Sequence, residues 1–394
     1  MPAICPVFEP QSVRQAKRRP RPALGIAVCE RDASPPFAEA AYVRKLVTAS
    51  ADFGLSAFAF APWTWNEERR TVRAWIWEEG AGWRCEERTA PAVGYDRAWP
   101  NGPIEHERYR RALNRMVRSG ALRLLNGRLP GKAAVLRALS REPRLRRWLP
   151  PTALYRGEAS LADWLARQDG AAFLKPSNGS QGRRVVAVVC DAASGSLSVR
   201  GRNAANRPFR LAGLRRRDAL RRLHRWIGGR TYVMQPLLAL TGPDGEPFDV
   251  RLLAQRGGDG RWKATGAAVR CGACGGVTAN LHGGGEARNA EAYLTAAFGR
   301  ERSSALLAEL HDAAFAVIRQ LEQCYGKFAE LGLDFGVDRS GRLWFLEANA
   351  KPGRAAMACA GGQAAAEAAL RPLAYARYIL LRPPGRVFHE FDPV

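Results

Sequence analysis

Gly332-Leu-Asp-Phe-Gly-Val-Asp-Arg-Ser-Gly-Arg-Leu-Trp-Phe-Leu-Glu-Ala-Asn-Ala-Lys-Pro-Gly353 decides the fold. Asp338-Arg-Ser-Gly341 is a turn sequence, with glycine where a left-handed residue is easy. The flanking apolar runs therefore predict a hairpin over Leu333–Asn349. With Arg339 and Ser340 as its loop, Asp338 pairs with Gly341 and Asp334 faces Phe345. Strand alternation then puts Phe345, Glu347 and Asn349 on one face. Asp334 lies on that face too, diagonal to Glu347 at roughly 7–8 Å along the backbone. Two carboxylates and an amide oxygen are hard ligands of the kind Mg²⁺ takes. A one-residue slip of register would turn Asp334 to the other face. The competing reading is an amphipathic hairpin with a merely solvated polar face.

The second informative stretch is Phe173-Leu-Lys-Pro-Ser-Asn-Gly-Ser-Gln-Gly-Arg-Arg-Val-Val-Ala-Val-Val189. A strand ends at Lys175, a Gly/Ser turn follows, and a second strand leaves. Backbone N–H groups around Gly179, Ser180 and Gly182 can turn toward an anion without a Cβ clash, and Lys175 adds a point charge. This is not a Walker A loop. Gly127-Arg-Leu-Pro-Gly131-Lys132-Ala133 is one residue short between its glycines and lacks Ser/Thr after the lysine. Lys132 instead begins a helix after a Pro-Gly turn. The chain has seven lysines, so one ahead of a helix and another beside a glycine loop stand out. A solvated lysine and a structural turn are the plainer readings of the same residues.

Outward from these motifs, residues 1–22 form a basic, Pro-rich arm. Strands at Leu24–Cys29 and Ser56–Ala61 enclose a helix at Phe37–Ala51, and a hairpin joins Thr71–Trp77 to Trp83–Arg88. With a strand at Ala92–Tyr95, residues 23–105 make a small α/β domain. Residues 106–150 have a basic, helical pattern. Then come strands at Ala172–Lys175, Val185–Val189 and Thr231–Gln235, with a helix at Arg217–Ile227. Long strands at Asp249–Gln255 and Trp262–Arg270, a helix at Ser303–Tyr325 and an Ala-rich helix at Gly361–Leu381 complete the chain, apart from a tail at 382–394.

The 394 residues carry a net charge of +24, nearly all arginine. The arginines fall in several runs without an aromatic RNA-binding signature or a helix-turn-helix pattern, so charge alone speaks for nucleic acid. An acidic small molecule, peptide or protein fits the charge as well. No apolar run reaches the roughly 18 residues of a membrane helix. Eight scattered cysteines without a secretory signal predict cytosolic thiols rather than a disulfide framework. Cys271-Gly-Ala-Cys274 lacks the second pair or histidines that a zinc site wants.

These pieces resemble the ATP-grasp superfamily. The resemblance rests on Lys132 before a helix, Lys175 on a strand, Gly179-Ser-Gln-Gly182, Asp334 and Glu347-Ala-Asn-Ala-Lys-Pro-Gly353. It implies a mixed α/β (α+β) fold in which two α/β modules clamp nucleotide, over residues 106–381, with a lid module at about 150–230. Val233 and Gln235 in Tyr232-Val-Met-Gln235 match the hinge whose backbone would bind adenine. A closer likeness, to the YheC/YheD family of endospore coat-associated proteins, rests on Leu174-Lys-Pro-Ser-Asn-Gly-Ser180 and three further pieces. They are Phe248-Asp-Val-Arg-Leu, Asn280-Leu-His-Gly-Gly-Gly-Glu286 and Leu331–Asp338.

The likeness implies ATP and Mg²⁺ as cofactors, with Asp334, Glu347 and Asn349 on the metal. Arg251 and Arg270 would face the transferring phosphate or the acid, with Asn280 and His282 lining the same cleft. The implied activity is ligation of a carboxylate to an amine through an acyl phosphate, in the cytoplasm of a mother cell or in the spore coat, beside coat proteins. A non-catalytic ATP-grasp component of the coat is the alternative. The chain departs from the family pattern after the hinge, where Pro-Leu-Leu-Ala-Leu-Thr-Gly offers no acid for ribose before Asp244.

Overall fold

The computed structural model describes residues 20–179, 181–279 and 284–382. Three sheets carry the chain. The first holds β1 (Ala23–Ala27), β2 (Ser56–Phe60), β3 (Thr71–Glu78), β4 (Gly82–Thr89), β5 (Val93–Asp96) and β6 (Arg123–Leu124) in the order β4-β3-β2-β1-β5-β6. Strands β1, β2, β5 and β6 are parallel neighbours, and α1 (Ala40–Ala49) makes the crossover from β1 to β2. The apolar runs of β1 and β2 fit strands covered on both faces. The sheet continues past residue 105. Helix α2 (Pro103–Arg118) leads into β6, which pairs with β5. The stretch 106–150 is thus not one helical unit: β6 interrupts it before α3 (Lys132–Ser140) and a 3₁₀ turn at Pro143–Trp148.

The second sheet contains β7 (Ala153–Leu154), β8 (Ala171–Pro176), β9 (Val186–Cys190), β10 (Leu197–Arg202), β11 (Pro208–Leu214) and β12 (Tyr232–Gln235), ordered β11-β10-β9-β8-β12-β7. Helices α4 (Glu158–Arg167) and α5 (Arg216–Ile227) pack on it through Leu161, Leu165, Leu220, Leu223 and Ile227. The hairpin of β10 and β11 escapes the sequence reading because Arg200, Arg202 and Arg210 dilute its alternation.

The third sheet is antiparallel, β15-β14-β13-β16-β17. It comprises β13 (Phe248–Arg256), β14 (Trp262–Cys271), β15 (Glu286–Asn289), β16 (Glu330–Val337) and β17 (Leu343–Asn349). Between β15 and β16 run α6 (Ala290–Phe298) and α7 (Arg300–Tyr325), and α8 (Gly362–Leu381) closes the described chain. On α7, Leu306, Leu310, Ala313, Val317 and Leu321 recur at helical spacing and meet Leu331, Leu333, Phe335 and Val337 of β16. Those odd-numbered residues fill the core, so even-numbered Glu330, Gly332 and Asp334 point to the other face.

That other face is divided. One half opens into a cleft against the second sheet. The other half is covered by α8 and a 3₁₀ turn at Ala355–Ala360, with Leu253, Ala268, Met357 and Ala368 in contact.

Where the covered half begins, Glu330 is fully buried. Tyr95 of the first sheet and Arg354 after β17 both donate to it, Gln255 donates at 3.0 Å, and Arg97 stands 3.7 Å away. This carboxylate joins the first sheet, the third sheet and the segment after β17. Breaking a buried ion pair from one side leaves charge uncompensated, at a cost of about 3–5 kcal/mol. Glu330→Gln is therefore expected to lower unfolding stability by about that much in urea titration followed by tryptophan fluorescence. A loss below about 1 kcal/mol would show that the knot is not structural.

Candidate functional site

The cleft half of the third sheet carries an alternating array of charge. Arg270 on β14 is the register partner of Asp249 on β13, Arg251 on β13 that of Asp334 on β16, and Asp334 in turn that of Glu347 on β17. Arg251 forks onto both oxygens of Asp334, with Nη2 2.7 Å from Oδ2. Arg270 does the same to Asp249, at 2.6 and 2.7 Å, and also reaches Asp334 Oδ2 at 2.8 Å. Asp249, Arg251, Arg270 and Asp334 are all buried. The carboxylates Asp249 and Asp334 more than offset the cost of burying Arg270 and raise its pKa.

The hairpin reaches this arrangement by a route other than the expected one. Val337 pairs with Leu343 and Phe335 with Phe345, one step out of the two-residue-loop register. Between Asp334 and Phe335 the register shifts again, so Asp334 opposes Glu347 directly rather than diagonally. Leu346 is the extra residue of a β-bulge. Before it, Leu343 and Phe345 face the core; after it, Ala348 and Ala350 do. Phe345 therefore does not share a face with Glu347 and Asn349. Its ring packs on Phe335 with centroids 5.6 Å apart.

Both lysines converge on Glu347. Lys132, the first residue of α3, places Nζ 3.3 Å from Glu347 Oε2 and donates to the carbonyl of Gly179 at 2.6 Å. Lys175, on β8, donates to the Leu346 carbonyl at the bulge at 3.0 Å. Asn349 donates to Glu347 Oε1 at 3.2 Å. Burial would raise the Glu347 pKa, but Lys132, Lys175 and Arg251 outweigh it and hold the carboxyl well below its usual range. Burial pushes the Lys175 ammonium down to about 8, with Glu347 opposing and Lys132 reinforcing the shift.

The glycine turn sits over this cluster. The backbone N–H of Lys132 bonds the Ser177 carbonyl at 2.8 Å, seating the turn on the start of α3. Gln181 and Gly182 both have positive φ, 62° and 67°, a conformation that favours glycine at the second position. Ser180 lies outside the described residues, as do Asn280 and His282.

A cavity of about 180 Å³ is bounded by Lys132, Lys175, Gly179, Gly182, Asp334 and Glu347 at one end. At the other end stand Phe173, Gln235, Pro236, Leu237 and Leu238. Val233 is not among its walls. It lies between β8 and β7, paired with Lys175 on one side and Leu154 on the other, so the ladders occupy its backbone. The accessible hinge is Gln235–Leu238, and Asp244 does not reach the cavity. Sequence reasoning missed Asp249, Arg183, Arg200 and Thr278, which also line it. Asp249 could have been found, because it lies two residues from Arg251 on one strand face.

The donor set suits a hard divalent cation: two opposed carboxylates and an amide on adjacent strands. Among the described residues no three His, Cys, Asp or Glu side chains converge, so Asn349 would have to be the third donor. Cys271 is buried and Cys274 exposed, both as free thiols. No described helix is long and apolar enough to cross a membrane.

Two modules enclosing a cleft, one with Lys175 and a glycine turn and the other with the acidic hairpin and Lys132 at the start of α3, define an ATP-grasp fold. The chain belongs to the YheC/D-like ATP-grasp family, whose profile matches residues 121–379. It is similar to the endospore coat-associated protein YheC of Bacillus subtilis (strain 168), 24% identical over 80% of this chain and 86% of that protein. YheD of the same organism is 27% identical over 79% of this chain and 68% of its own length. Among solved structures, D-cycloserine synthetase DcsG superposes with a TM-score of 0.51 at 15% identity, over 91% of this chain and 99% of that one. At that identity the likeness is one of fold.

The depressed Lys175 pKa has a stability consequence. The folded value is about 8 and the ordinary value 10.5, so between them the unfolded chain binds more protons. Below pH 8 the folded protein carries the cost of a buried ammonium, and this cost is relieved as pH rises. Lys175 should thus add up to about 3 kcal/mol of stability on going from pH 7.5 to 10.5. Urea titrations across that range should show a component of this rise in the native chain that Lys175→Met lacks. Parallel profiles for the two proteins would reject the shift.

Proposed function

We propose that this protein is a Mg-ATP-dependent carboxylate–amine ligase working through an acyl phosphate. The observation that carries the reading is the convergence of Lys132 and Lys175, from different modules, on Glu347 opposite Asp334. A triphosphate needs such cationic groups beside an acidic pair able to hold its cation. ATP would lie with its adenine along Gln235–Leu238 and its phosphates beneath the glycine turn. The cavity is below the roughly 300–1,000 Å³ of typical ligand pockets, so binding requires the second sheet to move away from the third.

Bound Mg²⁺ would be held by Asp334, Glu347 and Asn349 and would neutralise charge developing between the phosphates. Lys175 and Lys132 would orient the γ-phosphate, and Arg251 and Arg270 the acid, which guanidinium forks can grip with two parallel bonds. The substrate carboxylate attacks the γ-phosphorus and ADP leaves. The amine then attacks the acyl carbon and expels phosphate. Positioning and charge supply most of the catalysis, so no side-chain nucleophile is needed. Asn280 and His282 are proposed to line the acid's side of the cleft. The names of the relatives support association with a spore coat, and the basic surface supports an acidic substrate or docking partner.

One observation favours a second reading. Asp334 is already neutralised by two guanidiniums, as would suit a coat component that keeps the fold without turnover. Steady-state ADP release with a panel of acids and amines separates the two.

Glu347→Gln should remove nearly all the Mg²⁺-dependent part of ATP affinity while leaving circular dichroism unchanged. Lys175→Met should weaken ATP more than AMP. Calorimetry giving equal losses for both nucleotides would move Lys175 away from the phosphates, and undiminished Mg-ATP binding by Glu347→Gln would reject the metal assignment.

ADP formation should also require a carboxylic acid. Hydroxylamine should trap its acyl phosphate as a hydroxamate, and oxygen-18 in the substrate carboxylate should appear in phosphate. Release of unlabelled phosphate with a verified acid would eliminate the route.

A further inference from the structure

A second, wider cavity of about 830 Å³ lies between the first sheet's helix α2, the Asn126–Lys132 segment and the end of β17. It meets the first cavity at four shared residues: Lys132, Gly179, Leu346 and Glu347. A molecule in it would therefore reach the lysine–glutamate pair without contacting the hinge residues, which line only the first cavity.

Its charges decide what it takes. Four cationic side chains line it, Arg110, Arg128, Lys132 and Lys351, against two carboxylates, Asp96 and Glu347, a net of 4 − 2 = +2 with His106 left aside. The carboxylates are spoken for. Asp96 pairs with Lys351 at 2.6 Å and accepts from Tyr109 at 2.6 Å, while Glu347 pairs with Lys132 at 3.3 Å. Arg128 is bonded to the neutral amide of Asn114 at 2.7 Å. Among the described residues neither Arg110 nor Arg128 makes an ion pair; the Glu107 carboxylate near Arg110 is hydrogen-bonded to Arg111. The surplus positive charge therefore sits beside α2, where Asn114 is one helical turn from Arg110, on exposed residues outside the nucleotide cleft.

We infer that this cavity binds a substrate with two carboxylates, one passed through the Lys132–Glu347 junction toward Arg251 and Arg270 and the other held by Arg110 and Arg128. Rests on the ligase reading only the assignment of the first carboxylate as the reacting one; the selection of a dianion does not. Arg110 and Arg128 are then specificity-determining residues, supplied by the first sheet's unit rather than by the modules that clamp nucleotide. The chemistry is that of an acidic amino acid or the acidic end of a peptide. Guanidiniums suit it because each can bind a carboxylate through two parallel hydrogen bonds.

The test compares N-acetyl-L-glutamate with the monoacid N-acetyl-L-glutamine by calorimetry, with a triglutamate peptide as a third arm. The native protein should bind the diacid at least tenfold more tightly than the monoacid. That preference should vanish in Arg110→Gln/Arg128→Gln and persist in Arg221→Gln/Arg222→Gln, which removes equal charge from exposed positions on α5. Triglutamate binding more tightly than the single diacid marks a peptide end; the reverse marks a free amino acid. Native protein without a diacid preference, a preference that survives in the first double variant, or one lost equally in both would overturn the inference. Mg-ATP affinity is titrated alongside. Loss of ATP binding with an intact, arginine-dependent diacid preference would defeat the ligase reading and leave the cavity assignment standing. Mg-ATP binding without any acid binding would do the reverse.

Discussion

The β-bulge at Leu346 is the constraint on which the site depends. Strand β17 must bury Leu343 and Phe345 against α7 and then, within two residues, present Glu347 to the cleft. A regular strand cannot do this, because residues two apart share a face. The extra residue resets the alternation, brings Glu347 opposite Asp334, and leaves the Leu346 carbonyl as the acceptor for Lys175. One local irregularity thus places both acids and joins the second sheet to the third.

The segment that leaves the bulged strand is fixed from the first sheet's unit. Asn126 donates to the Ala350 carbonyl, Lys351 reaches Asp96, Arg97 donates to the Pro352 carbonyl at 3.5 Å, and Arg354 meets Tyr95 at 2.6 Å. Asn126 also accepts from the backbone of Ala329 and Glu330, at 2.7 and 3.2 Å. These polar contacts are mostly shielded from water, where hydrogen bonds and ion pairs lose less to solvent competition. The first unit therefore forms one wall of the second cavity and braces the strand bearing Glu347 and Asn349.

Charge balance in the cleft is close to self-contained. Each acid of the array has a guanidinium or ammonium within hydrogen-bonding reach, which keeps burial tolerable in the absence of ligand. Lys175 is the member whose burial is least compensated, and its lowered pKa expresses that. An anion beside it would stabilise the buried ammonium, so the same burial that costs stability favours an anion.

The sequence by itself determined the elements with strong patterning. The hairpin at 333–349 followed from residue types at fixed spacings, because turn chemistry and strand alternation are local, and the family followed from a resemblance carried by the lysines, the glycine turn and that hairpin. The charged hairpin of β10 and β11 was not legible, nor was the membership of α2 and β6 in the first sheet, since β6 is two residues long and exists through its pairing with β5. The tertiary structure alone decided the register. Turn residues suggest a loop length, but packing of Phe335 and Phe345 on α7 selects the pairing and forces the bulge that follows. It also decided that Val233 is enclosed by ladders while Gln235–Leu238 is open, and that Asp249 joins Arg270. Pairings between strands far apart in the chain are set by burial and cross-strand charge, which no single segment encodes.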